Sequence, residues 1–109
     1  MNQGDIIIVS LDPTVGHEQA KTRPCVLIQC NSLNKNMGTI IIAPITSKKF
    51  NLRFPNIVKL NCSVLKKSSS IKIEQLRCIY KSRVKKIIGS VSLEELLEIK
   101  EAIKVVFDI

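Results

Sequence analysis

Arg23 is the side chain in this sequence best equipped to handle an anion. It lies in Gly16-His17-Glu18-Gln19-Ala20-Lys21-Thr22-Arg23-Pro24, where six of nine residues are polar or charged. Apolar runs flank the stretch at Ile6–Leu11 and Cys25–Ile28, so it reads as a functional loop between two strands. A guanidinium offers five donors in a planar fork that matches a phosphate. Pro24 pushes Arg23 out of the helical region, which aims its side chain from the mouth of the next strand. A second stretch, Ala43-Pro44-Ile45-Thr46-Ser47, ends another apolar run. The hydroxyls and backbone N–H groups of Thr46 and Ser47 suit the same anion, and the two loops are expected to meet in one site. Glu18 and Gln19 can orient Arg23 or meet a base edge. His17, the only imidazole, is a candidate general acid or base. The plainer readings are an Arg23–Glu18 ion pair and ordinary turn chemistry. No phosphate-binding glycine loop, H-E-x-x-H or G-x-S-x-G motif is present. No carboxylate cluster suits Mg²⁺. Neither a metal nor a cofactor is expected.

The elements that must position these residues are mostly strands. Aromatic residues make up 4% of a chain that is 45% hydrophobic, so the core is built of Ile, Val and Leu, which favours β structure. Residues 5–11, 25–30 and 39–43 read as buried strands, the first stopped by Pro13 and the third by Pro44. Asn31–Gly38 reads as a turn or a short helical loop, and residues 56–61 as a fourth strand. Ile71 and Ile73 alternate in step, whereas Leu76, Cys78 and Tyr80 fall on the other phase. A bulge near Glu74-Gln75 is the expected device. A further short strand is expected over residues 82–88. Ser92–Phe107 reads as a helix opened by an S-x-x-E capping box, with a stripe of Leu93, Leu96, Leu97, Ile99, Ala102, Ile103 and Val106. The expectation is one domain over residues 1–109, mainly β with a C-terminal helix, in a small barrel or strongly twisted sheet.

The formal charge of +8 is unevenly placed. Residues 1–47 balance. Residues 48–86 carry twelve Lys/Arg against Glu74 alone, a local excess of +11, and residues 87–109 come to −3. A field concentrated in this way suits a polyanion or an acidic protein; the bland alternative is a solvated basic face. The four cysteines lack C-x-x-C spacing, and Cys25 and Cys30 read as small buried hydrophobes in or beside a strand. No apolar run approaches a membrane span and no signal-peptide pattern opens the chain. A cytoplasmic location is expected.

One resemblance covers nearly the whole chain. Gly4-Asp5-Ile6-Ile7-Ile8-Val9, the gapped G-x-E-Q-x-x-x-R-P of residues 16–24, Thr39 to Ser47, Glu74-Gln75-Leu76-Arg77, Lys81-Ser82-Arg83 and Ile88-Gly89 together resemble the MazF/PemK family of toxin endoribonucleases. The resemblance implies a dimeric SH3-like barrel of the MazF/PemK/CcdB type. It implies a toxin of a type II toxin-antitoxin system that cleaves single-stranded mRNA at short sequences without metal, leaving a 2′,3′-cyclic phosphate and a 5′-hydroxyl. The implied partners are that mRNA, a cognate antitoxin with an acidic tail, and a second copy of the chain. By the family's motif the catalytic pair falls on Arg23 and Thr46, while Glu18, Gln19, Ser47, Gln75 and Arg77 fall at or near the RNA groove. Cys25, His17, Cys78 and Tyr80 depart from the residues frequent in the family, the last two beside the groove.

The residues agree with that chemistry. If the RNA supplies its own 2′-hydroxyl, the protein needs only to hold the phosphate in line and stabilise charge on its oxygens. Arg23 and Thr46 can do so. Arginine stays protonated, so the proton acceptor is left among His17, Glu18 and the substrate. Two rival readings are a same-fold toxin acting on a protein such as DNA gyrase, and a non-catalytic RNA-binding barrel.

Overall fold

The computed structural model describes residues 1–11, 22–47 and 54–109. His17, Glu18 and Gln19, like Pro13 and Arg53, lie outside the described residues. The strands are β1 (Asp5–Ser10), β2 (Thr22–Leu27), β3 (Thr39–Thr46), β4 (Ile57–Leu60), β5 (Ser69–Lys72), β6 (Arg77–Tyr80) and β7 (Val84–Ser90); the helices are α1 (Asn31–Asn36) and α2 (Leu93–Phe107). The seven strands pair antiparallel in the order β4-β5-β3-β2-β1-β7, with β6 also on β3. The expected mainly β fold with a C-terminal helix is present. Among the described residues no ladder joins β6 to β7, so the sheet remains open.

The three central strands are buried on both faces, which is why their sequences are apolar without alternation. On one face Ile6, Val26, Ala43 and Ile45 join Leu60, Ile71, Ile73 and Ile99 of α2. On the other, Ile7, Val9, Cys25, Leu27, Ile40 and Ile42 close on Ile79 and Val84 as the sheet curls.

One strand starts earlier than expected, and another runs past the proline expected to stop it. β2 begins at Thr22 and includes Pro24, its ladder to β3 starting only at Cys25. β3 continues through Pro44 to Thr46. One edge of β3 pairs with β6 over Thr39–Ile42 and then with β5 from Ile45, so Pro44 sits where that edge has no partner and its missing N–H costs no bond. The phase change expected as a bulge is a single 3₁₀ turn, Ile73–Gln75, which carries the chain from one apolar cluster to the other. The strand 25–30 ends early, at Leu27. Cys30 is therefore exposed at the N-cap of α1 rather than buried.

In α2 both halves of the capping box are made: Ser92 N–H donates to Glu95 Oε1 at 2.8 Å and Glu95 N–H to Ser92 Oγ at 3.1 Å. Glu95 Oε2 also accepts the Asn61 N–H at 2.7 Å, tying the helix to the end of β4. The buried stripe is narrower than its sequence suggests. Ile99 and Ala102 are buried and Leu96, Ile103 and Val106 half-buried, but Leu93 and Leu97 point outward, 73% and 54% exposed.

Glu95→Ala removes the carboxylate half of the capping box and the Asn61 tie together, while the Glu95 N–H still donates to Ser92 Oγ, so it is expected to lower stability by about 1 kcal/mol. Glu95→Gln, which keeps an acceptor, should lose less. Chemical denaturation measures both, and an unchanged midpoint for Glu95→Ala would show that the Glu95 carboxylate contributes nothing.

Candidate nucleic-acid interface

Strand register sets the site. Arg23 on β2 pairs with Val9 of β1. The β2–β3 ladder pairs Cys25 with Pro44, and carrying that register two residues further puts Arg23 opposite Thr46. Thr46 pairs in turn with Ser70 of β5, and Ser70 with Lys59 of β4. One row therefore crosses the sheet as Val9, Arg23, Thr46, Ser70, Lys59. Of the two stretches expected to meet, residues 22–24 and 43–47 lie on neighbouring strands, and residues 16–21 lie outside the described residues. Arg23 is exposed and Thr46 half-buried. Ser70 is buried, and its hydroxyl has no hydrogen-bond partner among the described residues, which leaves a donor beside Thr46.

Arg77 approaches from β6. It pairs with Ile42, and its Nη2 donates to the Leu11 carbonyl at 3.3 Å. Arg83 Nη1 donates to the carbonyls of Ser10 and Leu11 at 3.2 and 3.1 Å. These bonds fasten the β6 side of the curled sheet to the end of β1. They orient both guanidiniums on the end of β1. Cys25 marks how close the cations lie. Burial pushes its thiol from 9.0 up to about 12, while the charges of Arg23 and Arg77 both act against that rise. Both guanidiniums therefore lie within Coulombic reach of one buried sulfur.

One shallow cleft borders the row and a second lies toward the other end of β3, where Thr39 pairs with Tyr80. One, of about 300 Å³, is lined by Pro24, Ile45, Ser47, Leu65, Lys66, Lys67 and Ser69. The other, of about 280 Å³, is lined by Thr39, Arg77, Cys78, Ile79, Tyr80 and Arg83. Of the residues singled out from sequence, Arg23, Thr46 and Ser47 lie together at the ends of β2 and β3, with Arg77 reaching toward them. Gln75 is exposed at the end of the 3₁₀ turn, two residues before Arg77. Sequence reasoning passed over Lys66, Lys67 and Arg83 as parts of a polar turn and a basic segment. The local excess of cations was the available signal; their placement depends on register. Among the described residues no group of His, Cys, Asp and Glu could hold a metal ion, and no helix is long and apolar enough to cross a membrane.

The arrangement is a row of polar and cationic side chains with a lysine-lined cleft beside it, suited to a chain of phosphates. Comparison with known proteins points the same way. Residues 2–107 match the profile of the family described as PemK-like, MazF-like toxin of type II toxin-antitoxin system. The chain is 35% identical over 107 residues to an endoribonuclease MazF of Staphylococcus saprophyticus, covering 96% of this chain and 89% of that protein. Its fold is similar to a MazE-MazF crystal structure from Deinococcus radiodurans, with a TM-score of 0.83 at 19% identity over 100% of this chain and 96% of that one. A mycobacterial endoribonuclease in complex with its cognate antitoxin gives 0.81 at 14% identity, covering 100% and 96%.

The Cys25 thiol should be inert in the folded protein. Since its folded value lies above 9.0, the folded state holds the proton more tightly than the unfolded chain does. Its contribution to stability is complete below pH 9.0 and is lost as pH rises toward about 12. Maleimide should therefore label exposed Cys30 and Cys78 quickly and reach Cys25 only in denaturant. Prompt native-state labelling at Cys25 would contradict this packing.

Proposed function

The chain belongs to the PemK-like, MazF-like toxins of type II toxin-antitoxin systems, and from that premise we propose that it is an endoribonuclease cleaving single-stranded mRNA without a metal. The observation that carries this reading is the β2–β3 register, which, extended two residues beyond Cys25 and Pro44, sets Arg23 opposite Thr46.

The chemistry needs no nucleophile from the protein. The RNA's 2′-hydroxyl oxygen bonds to the adjacent phosphorus, the P–O5′ bond breaks, and the products are a 2′,3′-cyclic phosphate and a 5′-hydroxyl. Charge gathers on the non-bridging oxygens as this happens. Arg23, exposed at the strand end, can face two of them with its fork while the Thr46 hydroxyl holds the phosphate in line. Arg23 acts as a charge stabiliser and not as a base, because guanidinium does not lose its proton. Ser47, Gln75, Lys66 and Lys67 are the candidates to hold the RNA strand beyond the scissile phosphate. His17, Glu18 and Gln19 are the further candidates for that groove and for the proton acceptor.

The same surface suits the other partners of this reading. An antitoxin with an acidic tail would compete with RNA for the cationic clefts. The outward Leu93 and Leu97, with Val105, Phe107 and Ile109, leave apolar surface that a second copy of the chain could cover in a homodimer. Cleavage of mRNA places the protein in the cytoplasm. A protein-directed toxin and a non-catalytic RNA-binding barrel gain no support from these neighbours.

Incubation with a long RNA in EDTA, followed by end-group analysis, tests the reading. Fragments with cyclic phosphate and 5′-hydroxyl ends are expected. Arg23→Ala should lower the rate by about 10²–10³, and Thr46→Ala should also lose activity, with the denaturation midpoint of both unchanged. Cleavage that stops in EDTA and returns with Mg²⁺, or full activity in both variants, would overturn it.

A further inference from the structure

Ser70 follows Thr46 in the row that crosses the sheet. It is 4% exposed, and its hydroxyl oxygen is buried with no hydrogen-bond partner among the described residues. Ser69 beside it shows the ordinary alternative, its hydroxyl donating to the Lys67 carbonyl at 2.8 Å. Register fixes where the Ser70 side chain points, because residues paired across a ladder share one face of the sheet. Ile45 pairs with Ile71 and Ile71 with Val58, and all three pack into one buried cluster. Thr46, Ser70 and Lys59 therefore point to the opposite face. Val9, the partner of Arg23, is packed in the cluster on that second face. Lys59 is exposed and gives the Ser70 hydroxyl no bond.

A buried hydroxyl without a partner lowers stability, where alanine at the same position would not. No bond among the described residues offsets that loss, and the residue alongside is the threonine of the catalytic pair. The oxygen is too enclosed to meet an RNA itself, so it acts through a neighbour. Paired residues set their Cβ atoms about 4.5–5.5 Å apart, so side-chain rotation can bring the Ser70 and Thr46 hydroxyls into hydrogen-bond contact. A hydroxyl has one donor and two acceptor positions. Thr46 can thus accept from Ser70 and still donate to a phosphate oxygen.

We propose that Ser70 is a positioning residue for Thr46: its hydroxyl donates to Thr46 Oγ1 when RNA is bound and keeps the threonine hydroxyl aimed at the scissile phosphate. This role rests on the RNA reading above, in which Thr46 holds the phosphate in line. Ser70 touches neither the RNA nor the reacting atoms.

Three measurements test the role together. They are single-turnover cleavage of an unmodified RNA in EDTA, anisotropy with a labelled 2′-O-methyl RNA that lacks the attacking hydroxyl, and chemical denaturation. Ser70→Ala should slow cleavage about 2- to 12-fold, the equivalent of one net hydrogen bond. RNA affinity should hold, and the denaturation midpoint should hold or rise. In a Thr46→Ala background the same substitution should have no further effect. A readout independent of cleavage is the Thr46 χ1 angle, followed by three-bond NMR couplings to its methyl carbon with the 2′-O-methyl RNA bound. One rotamer is expected in the parent chain and an average over rotamers in Ser70→Ala. A parental rate in Ser70→Ala, an equal loss in the Thr46→Ala background, a lowered midpoint, or the same couplings in both proteins would each overturn the role. The rotamer change without cleavage by the parent chain sustains the Ser70–Thr46 contact and removes the ribonuclease reading. Cleavage by the parent chain with no effect of Ser70→Ala does the reverse, and neither cleavage nor rotamer change removes both.

Discussion

β3 serves two partners in succession along one edge, and the placement of the site depends on that constraint. Its other edge pairs with β2. Over Thr39–Ile42 the shared edge takes β6, and from Ile45 it takes β5. Pro44 sits in the gap, where an N–H would have had no acceptor in either ladder. The arrangement sets Thr46 between Arg23 and Ser70, and it brings Arg77 in from β6 against the same strand. A one-residue slip in either ladder would turn Thr46 or Arg77 to the opposite face. The apolar faces guard against such a slip, because Ile40, Ile42, Ala43 and Ile45 are each committed to one of two buried clusters.

The open sheet gains a cross-tie from its cations. Arg77 and Arg83 reach across to the carbonyls that end β1. A guanidinium has five N–H groups, so the contacts of Arg83 to two carbonyls use only part of its donor set. Structural fastening and ligand attraction are thus carried by the same groups. Like charges held near one another repel, which is a cost to the empty protein that a polyanion relieves. Buried Cys25, kept in its neutral thiol form, adds no negative charge behind the site to offset this field.

Much of this was legible in the sequence, for physical reasons. Continuous runs such as Ile6-Ile7-Ile8-Val9 and Ile40-Ile41-Ile42-Ala43 marked strands buried on both faces, and Ser92 with Glu95 marked the helix start. Arg23 before Pro24 and Thr46 after Pro44 were visible as anion-handling groups. That they would come together was expected, but the register that does it was not legible, because register across β2 and β3 is a tertiary property. The prolines misled where local chemistry competed with pairing: Pro44 stops a strand only if its edge needs that donor, and here the partner changes at that residue. The carbonyl anchors of Arg77 and Arg83 lie more than sixty residues away in the chain, beyond any local pattern. Cys30 was misplaced because its strand ends at Leu27, and nothing in Ile28-Gln29-Cys30 marks that end. The side chains of Gln29 and Asn34, buried and bonded to each other at 3.1 Å, show what replaces the ladder there.

If Arg23 and Thr46 act on one phosphate from opposite strands, their contributions to cleavage are not independent. A double-mutant cycle on RNA cleavage, comparing Arg23→Ala, Thr46→Ala and the double variant under single-turnover conditions, measures this directly. The opposed pair predicts that the double variant is about as slow as the slower single variant, because losing either group lets the phosphate leave its productive position. Losses that simply multiply would contradict it, and would mean that the two residues meet the RNA at separate places.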